Sequence, residues 1–235
     1  MPVYKRILLK LSGEALGGEA GFGLDAARAA AIAAETASLV RSGVSLGVVV
    51  GGGNHFRGVR DAGAKLDRVT VDSMGMLATV MNALAFADFL RAEGVTAEAM
   101  SAVPMEPLVR RYDRARALEL LDAGGAVVFG AGTGNPYFST DTAASLRAIE
   151  IGADALFKAT KVDGIYDSDP KRNPSARRYE TISYSEALEQ GLAVMDAAAV
   201  ALCRENRMPV LVFDLNEPGN LARAAAGEPV GTLMS

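Results

Sequence analysis

The sequence predicts an α/β fold, a three-layer αβα sandwich around a mostly parallel central sheet, and three observations lead there. Short apolar runs alternate with longer helical patterns from end to end, the β-α-β-α order of a parallel sheet covered on both faces. There is no Trp, with only 8 Phe and 6 Tyr in 235 residues, so the core must come from Ala, Val, Leu, Ile and Met. Such a core suits helices packed on a sheet better than a β-sandwich. Segments rich in Gly, Ser and Thr follow strands, at Ser12-Gly13, Gly51–Asn54, Gly130–Thr140 and Thr160–Gly164. Those are the strand ends at which open α/β sheets bind ligands.

Taken in order, Ile7–Leu11 is a first strand that ends at Ser12-Gly13. Asp25 can cap a helix running to about Ser42, with Gly43 as its stop. Ile32, Leu39 and Val40 mark its apolar face. Val44–Val50 is a buried strand closed by three glycines. A second long helix carries Met74, Leu77, Ala78, Met81, Leu84 and Ala85 on one face at three- and four-residue steps, and Gly94 ends it. Further strands are expected at Val95–Met100, Ala126–Phe129, Ala155–Ala159 and Val210–Phe213. Helical patterns lie at Arg114–Asp122, Asp141–Ile151, Ser185–Gln190 and Ala197–Asn206. Asp169–Arg178 reads as a surface loop, and without a linker or repeat the chain is expected to form one domain over residues 1–235.

Composition excludes several classes. With 24 basic and 28 acidic residues there is no global field to recruit nucleic acid. A lone Cys203 forbids an intramolecular disulfide, and one His with one Cys cannot build an ordinary structural zinc site. Any metal is therefore expected to be a hard ion of the Mg²⁺ kind, held by oxygens and phosphates. No secretory leader pattern opens the chain, and no uninterrupted apolar stretch of membrane-spanning length is apparent, so a cytoplasmic protein without membrane contact is expected.

Four constellations can carry chemistry. Lys10-Leu11-Ser12-Gly13 places an ammonium beside a backbone able to turn tightly and expose N–H groups, which suits polyphosphate; a Lys snorkelling from a strand end is the bland alternative. Gly51-Gly52-Gly53, with Arg57 shortly after, strips every Cβ from a turn so that an anion or sugar can approach the main chain. A loop that only needs positive φ would look the same. Thr133-Gly134-Asn135-Pro136-Tyr137-Phe138-Ser139-Thr140 combines hydroxyls, an amide and two aromatics. That mixture can read a pyrimidine edge and cover its face, although Thr140-Asp141 equally fits a helix cap. Lys158–Gly164 with Tyr166 and Asp169 gathers lysines, Thr and Tyr near one strand end, a polar loop of no particular meaning by itself. Asp72, near a helix start, reads as a first-turn acid, and Asp196 as an N-cap. No Gly-x-x-x-x-Gly-Lys-Ser/Thr occurs, which excludes a Walker P-loop, and no Gly-x-Gly-x-x-Gly follows the first strand.

In register these blocks resemble the bacterial UMP kinases, a branch of the amino acid kinase superfamily, over essentially the whole chain. The most specific pieces are Tyr4–Leu16, Gly51–Asn54 with Phe56-Arg57-Gly58, Met74–Asn82, Ala131–Pro136 and Lys158–Gly164. The resemblance implies transfer of the terminal phosphoryl group of ATP to UMP, giving UDP for pyrimidine nucleotide synthesis, with Mg²⁺ carried by ATP. It implies Lys10, Leu11, Ser12 and Gly13 on the ATP phosphates with Gly53 and Arg57 beside them, and Thr160, Tyr166 and Asp169 on the adenosine side. UMP would meet Gly52, Asp72 and Thr133–Thr140, while Lys10 and Asp141 would be catalytic, with Asp196 a further candidate for arranging lysines or metal. The same resemblance implies a homohexamer, activation by GTP through Gly18, Glu19, Ala20, Gly21, Phe22 and Gly23, and inhibition by UTP. Phe86–Phe89 and Thr96–Glu98, however, lack the basic residues expected around the interface helix. A related kinase acting on a carboxylate, carbamate or isopentenyl phosphate would keep Lys10 and the glycine turns but not the 133–140 pocket. A non-catalytic nucleotide sensor would have lost Lys10 or the loop hydroxyls.

Overall fold

A computed structural model describes residues 2–56, 65–170, 172–192 and 195–235. Its elements run β1 (Arg6–Leu11), α1 (Gly13–Leu16), α2 (Ala26–Arg41), β2 (Ser45–Val50), α3 (Arg68–Ala92), β3 (Ala97–Ser101), β4 (Arg110–Arg111) and α4 (Arg114–Asp122). They continue β5 (Ala126–Gly130), α5 (Thr140–Glu150), β6 (Ala155–Thr160), β7 (Thr181–Ile182), α6 (Tyr184–Glu189), α7 (Ala197–Asn206), β8 (Val210–Asp214), α8 (Asn220–Ala225) and β9 (Gly231–Met234). The described strands form one sheet in the order β4-β3-β5-β2-β1-β6-β8-β9-β7. All pairings are parallel except β8 with β9, so the sheet is mixed only toward one edge.

Side chains alternate across each strand, and this sorts the core into two layers. Ile7, Leu9 and Leu11 of β1 and Phe157 of β6 pack with Ile32, Ala33, Val80, Phe86, Leu221 and Ala224, from α2, α3 and α8. Leu8 of β1 and Leu156 of β6 point the other way, to Leu120, Ala144, Ala148, Ala187 and Cys203, from α4, α5, α6 and α7. This is the three-layer sandwich. The same alternation aims two charged side chains: Lys10 and Lys158 share the parity of Leu8 and Leu156, so both turn toward α5. Parallel pairing of β1 with β6 makes Lys10 and Lys158 register partners.

The local signals act largely as expected. Asp25 caps α2, its side chain accepting from the Arg28 amide at 3.0 Å. Ser183 and Glu186 form a reciprocal capping box that starts α6 at Tyr184. One expectation needs correction. Met74, Leu77, Met81 and Leu84 of α3 face outward, Leu77 and Met81 being 51% and 54% exposed. The buried face is Val71, Ala78, Thr79, Asn82, Ala83, Phe86 and Leu90, and periodicity alone does not separate two apolar stripes on one helix. By length and composition α3 is also apolar enough to cross a membrane, although Asp72, Gly75 and Asp88 interrupt its apolar run. Its inner face, however, packs on β3 and β5 as that of a core helix.

Candidate active site

The floor of the site is built where β1 and β6 end beside the start of α5. Asp141, the second residue of α5, reaches back to both lysines: Lys10 Nζ lies 2.8 Å from Oδ1 and Lys158 Nζ 2.6 Å from Oδ2. Burial alone would raise the Asp141 pKa, but the two ammonium groups outweigh it and hold the carboxyl below its ordinary value. Burial pushes the Lys158 ammonium below its usual range; Lys10 adds to this, while Asp141 pulls the other way. The cap of α5 is Ser139, not Thr140 or Asp141: Ser139 Oγ accepts from the amides of Asp141 (3.0 Å) and Thr142 (3.2 Å). That leaves the Asp141 carboxylate to the lysines. Asp196 is an N-cap, taking the Ala199 amide at 3.0 Å, and also accepts from the hydroxyls of Ser139 and Thr142. It thereby joins the start of α7 to that of α5.

The two glycine segments lie edge to edge above this floor. The Gly51 amide donates to Leu11 O at 2.9 Å. A Cβ on Gly13 would sit 2.5 Å from Gly51 O and 2.7 Å from Gly53 N, so only glycine allows this approach. A Cβ on Gly52 would strike Ala78 Cβ at 2.8 Å. Among the three glycines only Gly53 meets no atom closer than 3.9 Å, so the openness expected of the whole turn belongs to Gly53. Ser12 Oγ accepts from the Glu14 amide at 3.3 Å and starts the short α1, which replaces the plain turn expected there. Arg57 lies outside the described residues.

Clefts open on both sides of the floor. One, of about 160 Å³, is lined by Gly52, Gly53, Val71, Asp72, Thr79 and Phe138, together with Asn135, Ser139 and Thr140. Gly53, expected beside the donor, thus lines this cleft together with Gly52. Thr133, Gly134, Pro136 and Tyr137 shape the loop without forming the cleft wall; Thr133 Oγ1 accepts from the Asn135 amide at 3.2 Å. Asp72 sits in the second turn of α3, whose cap is Asp67, so it is not the first-turn acid expected. Its carboxylate takes Arg68 Nε at 2.8 and 2.9 Å and the Tyr137 amide at 2.7 Å, tying α3 to the loop. The opposite cleft, of about 620 Å³, is lined by Lys158, Thr160, Tyr166, Asp169, Gln190 and Leu192. A narrower one running past Lys10, Ser12 and Glu14 shares Lys158 and Thr160 with it. Tyr166 donates to Asp163 at 2.8 Å, a bond that raises its pKa.

Sequence reasoning named Lys158 only as one of two lysines in a polar loop, and gave no role to Arg68 or Thr79. For Lys158 a signal existed: it interrupts the buried run Ala155–Ala159 at the parity of a core position, as Lys10 interrupts β1. Loop 18–23 stands beside the glycine turn, with the Gly23 amide donating to Asn54 O at 2.7 Å and Phe22 73% exposed.

This fold, with a Lys-Asp-Lys floor and no P-loop, defines a class. The Amino acid kinase family profile matches residues 5–214, and the chain belongs to that family. Within it, the chain is similar to a UMP kinase from Bacillus anthracis at 40% identity and TM-score 0.96, over 100% of this chain and 97% of that one. A UMP kinase from Ureaplasma parvum matches at 35% identity and TM-score 0.93, over 98% of each chain. A uridylate kinase from Archaeoglobus fulgidus matches at 30% identity and TM-score 0.74, over 100% of each.

Proposed function

We propose that the chain is a UMP kinase that transfers the γ-phosphoryl group of ATP to UMP, releasing ADP and UDP. One observation carries this reading: two clefts flank a buried floor in which Lys10 and Lys158 share Asp141. The larger cleft takes ATP, its base end toward Thr160, Tyr166 and Asp169 and its phosphates over Lys10 and the Ser12-Gly13 segment. The smaller takes UMP, against Gly52, Asp72 and the 133–140 loop.

In the transfer, an α-phosphate oxygen of UMP attacks the γ-phosphorus in line, and the bond to the β,γ-bridging oxygen breaks, its electrons leaving with ADP. The acceptor oxygen is already ionised at neutral pH, so no strong general base is required. What remains is positioning and charge stabilisation. Lys10 and Lys158 supply positive charge to the migrating group, and Asp141 fixes where they stand. Among the described residues no group of three or more His, Cys, Asp or Glu could hold a metal. Mg²⁺ would come with ATP on its phosphate oxygens and would supply charge neutralisation there.

The exposed apolar stripe of α3, Met74, Leu77, Met81 and Leu84, supports assembly with further copies of this chain, and the assembly we propose is a homohexamer. Loop 18–23, bonded to the glycine turn through Gly23, is the segment through which GTP would activate; UTP would inhibit. The test is ATP-dependent phosphorylation of UMP with CMP as control, with and without Mg²⁺, repeated over GTP and UTP concentrations. UDP formation that needs Mg²⁺ and prefers UMP is expected. Phosphorylation of acetylglutamate or aspartate instead would refute the acceptor, and a flat GTP response would refute the activation.

A further inference from the structure

Beneath the glycine turn lies a buried pair of amides. Asn54 and Asn82 are both fully buried. Asn82 Nδ2 donates to Gly51 O at 2.7 Å and to Asn54 Oδ1 at 2.7 Å. Asn54 Nδ2 donates to Gly23 O at 2.7 Å and to Asn82 Oδ1 at 3.1 Å. His55 Nε2 stands 3.0 Å from Asn82 Oδ1. Gly51 O can only accept, so Asn82 must present its NH₂ there and its oxygen to His55; Nε2 of His55 therefore carries the proton in this bond. Both amide hydrogens of each Asn and both lone pairs of Asn82 Oδ1 are engaged.

A buried polar pair that served only stability would be an uneconomical choice, since an apolar pair of the same shape can do as well. The distinguishing fact is where the partners lie. Gly51 begins the turn that lines the UMP cleft, and Gly23 closes loop 18–23. Gly13 packs so tightly on Asn54 that a Cβ there would fall 2.6 Å from Oδ1. One turn earlier on α3, Thr79 Oγ1 accepts the Ala131 amide at 2.8 Å and so holds the start of the other substrate loop.

We propose that Asn82, acting through Asn54, is a positioning residue for phosphoryl transfer. The pair locks the Gly51–Asn54 turn and the Ser12-Gly13 segment into one rigid phosphate cradle and carries loop 18–23 with it. His55, donating to Asn82 Oδ1, supports the amide orientation that Gly51 O sets. The inference rests on the kinase reading above.

The test compares Asn82→Leu with Leu90→Ala, a substitution of a fully buried core residue two turns further along the same helix. Steady-state kcat and KM for ATP and UMP are measured below both melting transitions. Hydrogen exchange of the nucleotide-free protein is followed in parallel. Asn82→Leu is expected to lower kcat by ~10-fold or more with KM changed by less than about 3-fold, because misplacement acts on the reacting geometry. Its exchange should quicken in residues 13–25 and 45–56. Leu90→Ala should lower Tm yet keep kcat within about 2-fold and leave those segments protected. His55→Phe, which keeps both amides, should give the same pattern more weakly and serves if Asn82→Leu does not fold. An active wild-type enzyme whose variants at Asn82 or His55 keep kcat and exchange unchanged overturns the positioning role alone. A wild-type chain that does not phosphorylate UMP overturns the kinase reading, whereas the exchange pattern still reports the clamp.

Discussion

The floor of the site and the rim of the smaller cleft each hold a carboxylate, and they hold it differently. At the floor, Asp141 is shared by Lys10 and Lys158, and all three side chains are largely buried. At the rim, Asp72 meets Arg68, a guanidinium half open to solvent, and a backbone amide. Charges in a poorly solvated floor act strongly on one another and on a migrating phosphoryl group. Charges at a wet rim are screened and exchange partners readily. On the proposed kinase reading, the floor would set turnover and the rim would recognise the acceptor.

The sharpest way to break this contrast is Lys158→Ala. Loss of one of two cations at the transferred group is expected to cost kcat ~100-fold or more, with nucleotide affinities nearly kept. Asp141→Asn should lower kcat by a smaller margin, on the order of 30-fold, because the lysines lose their shared anchor. It should also destabilise the protein by about 3 kcal/mol, since two buried ammonium groups lose a partner. The pH dependence of that loss has a definite sign. The folded Asp141 pKa lies below its unfolded value, so between the two the unfolded chain binds more protons, and the stabilisation fades as pH falls through that window. Melting curves of wild type and Asp141→Asn should therefore converge in acid. Lys158, also depressed, makes stability rise with pH between its folded and unfolded values.

Asp72→Ala, at the rim, is expected to raise the KM for UMP by ~10-fold and to leave kcat within a few-fold, as steady-state titration of UMP would report. An equal loss in kcat would erase the distinction between rim and floor. The smallest catalytic effect belongs to Met81→Glu on the outer face of α3. It should yield a smaller species in light scattering, with kcat per folded chain changed by about 3-fold at most.

How much of this the sequence disclosed depended on whether a signal was local. Buried runs such as Val44–Val50 gave strands within a residue of β2, and Asp25 and Gly43 bounded α2 as their side chains and backbone require. The short pieces β4, β7 and β9 escaped, because two to four residues at or near a sheet edge draw their order from neighbours rather than from periodicity. Lys10 was legible from its motif. Lys158 was legible only as one of two lysines in a polar loop, because its meaning comes from being the register partner of Lys10. The role of Asn82 lies further out of reach: nothing beside it in the chain says that it meets Gly51 and Asn54, about eight helical turns' worth of sequence away. The inner and outer faces of α3 were confused for the same reason, both being apolar and only packing telling them apart.

The most direct test of a floor built for transfer is Lys10→Ala, measured as single-turnover UDP formation with ATP and UMP both saturating, alongside equilibrium binding of each nucleotide. We expect the transfer rate to fall ~1000-fold while both dissociation constants stay within a few-fold of wild type. A transfer rate that survives, or a loss that appears only in binding, would contradict that role for the floor.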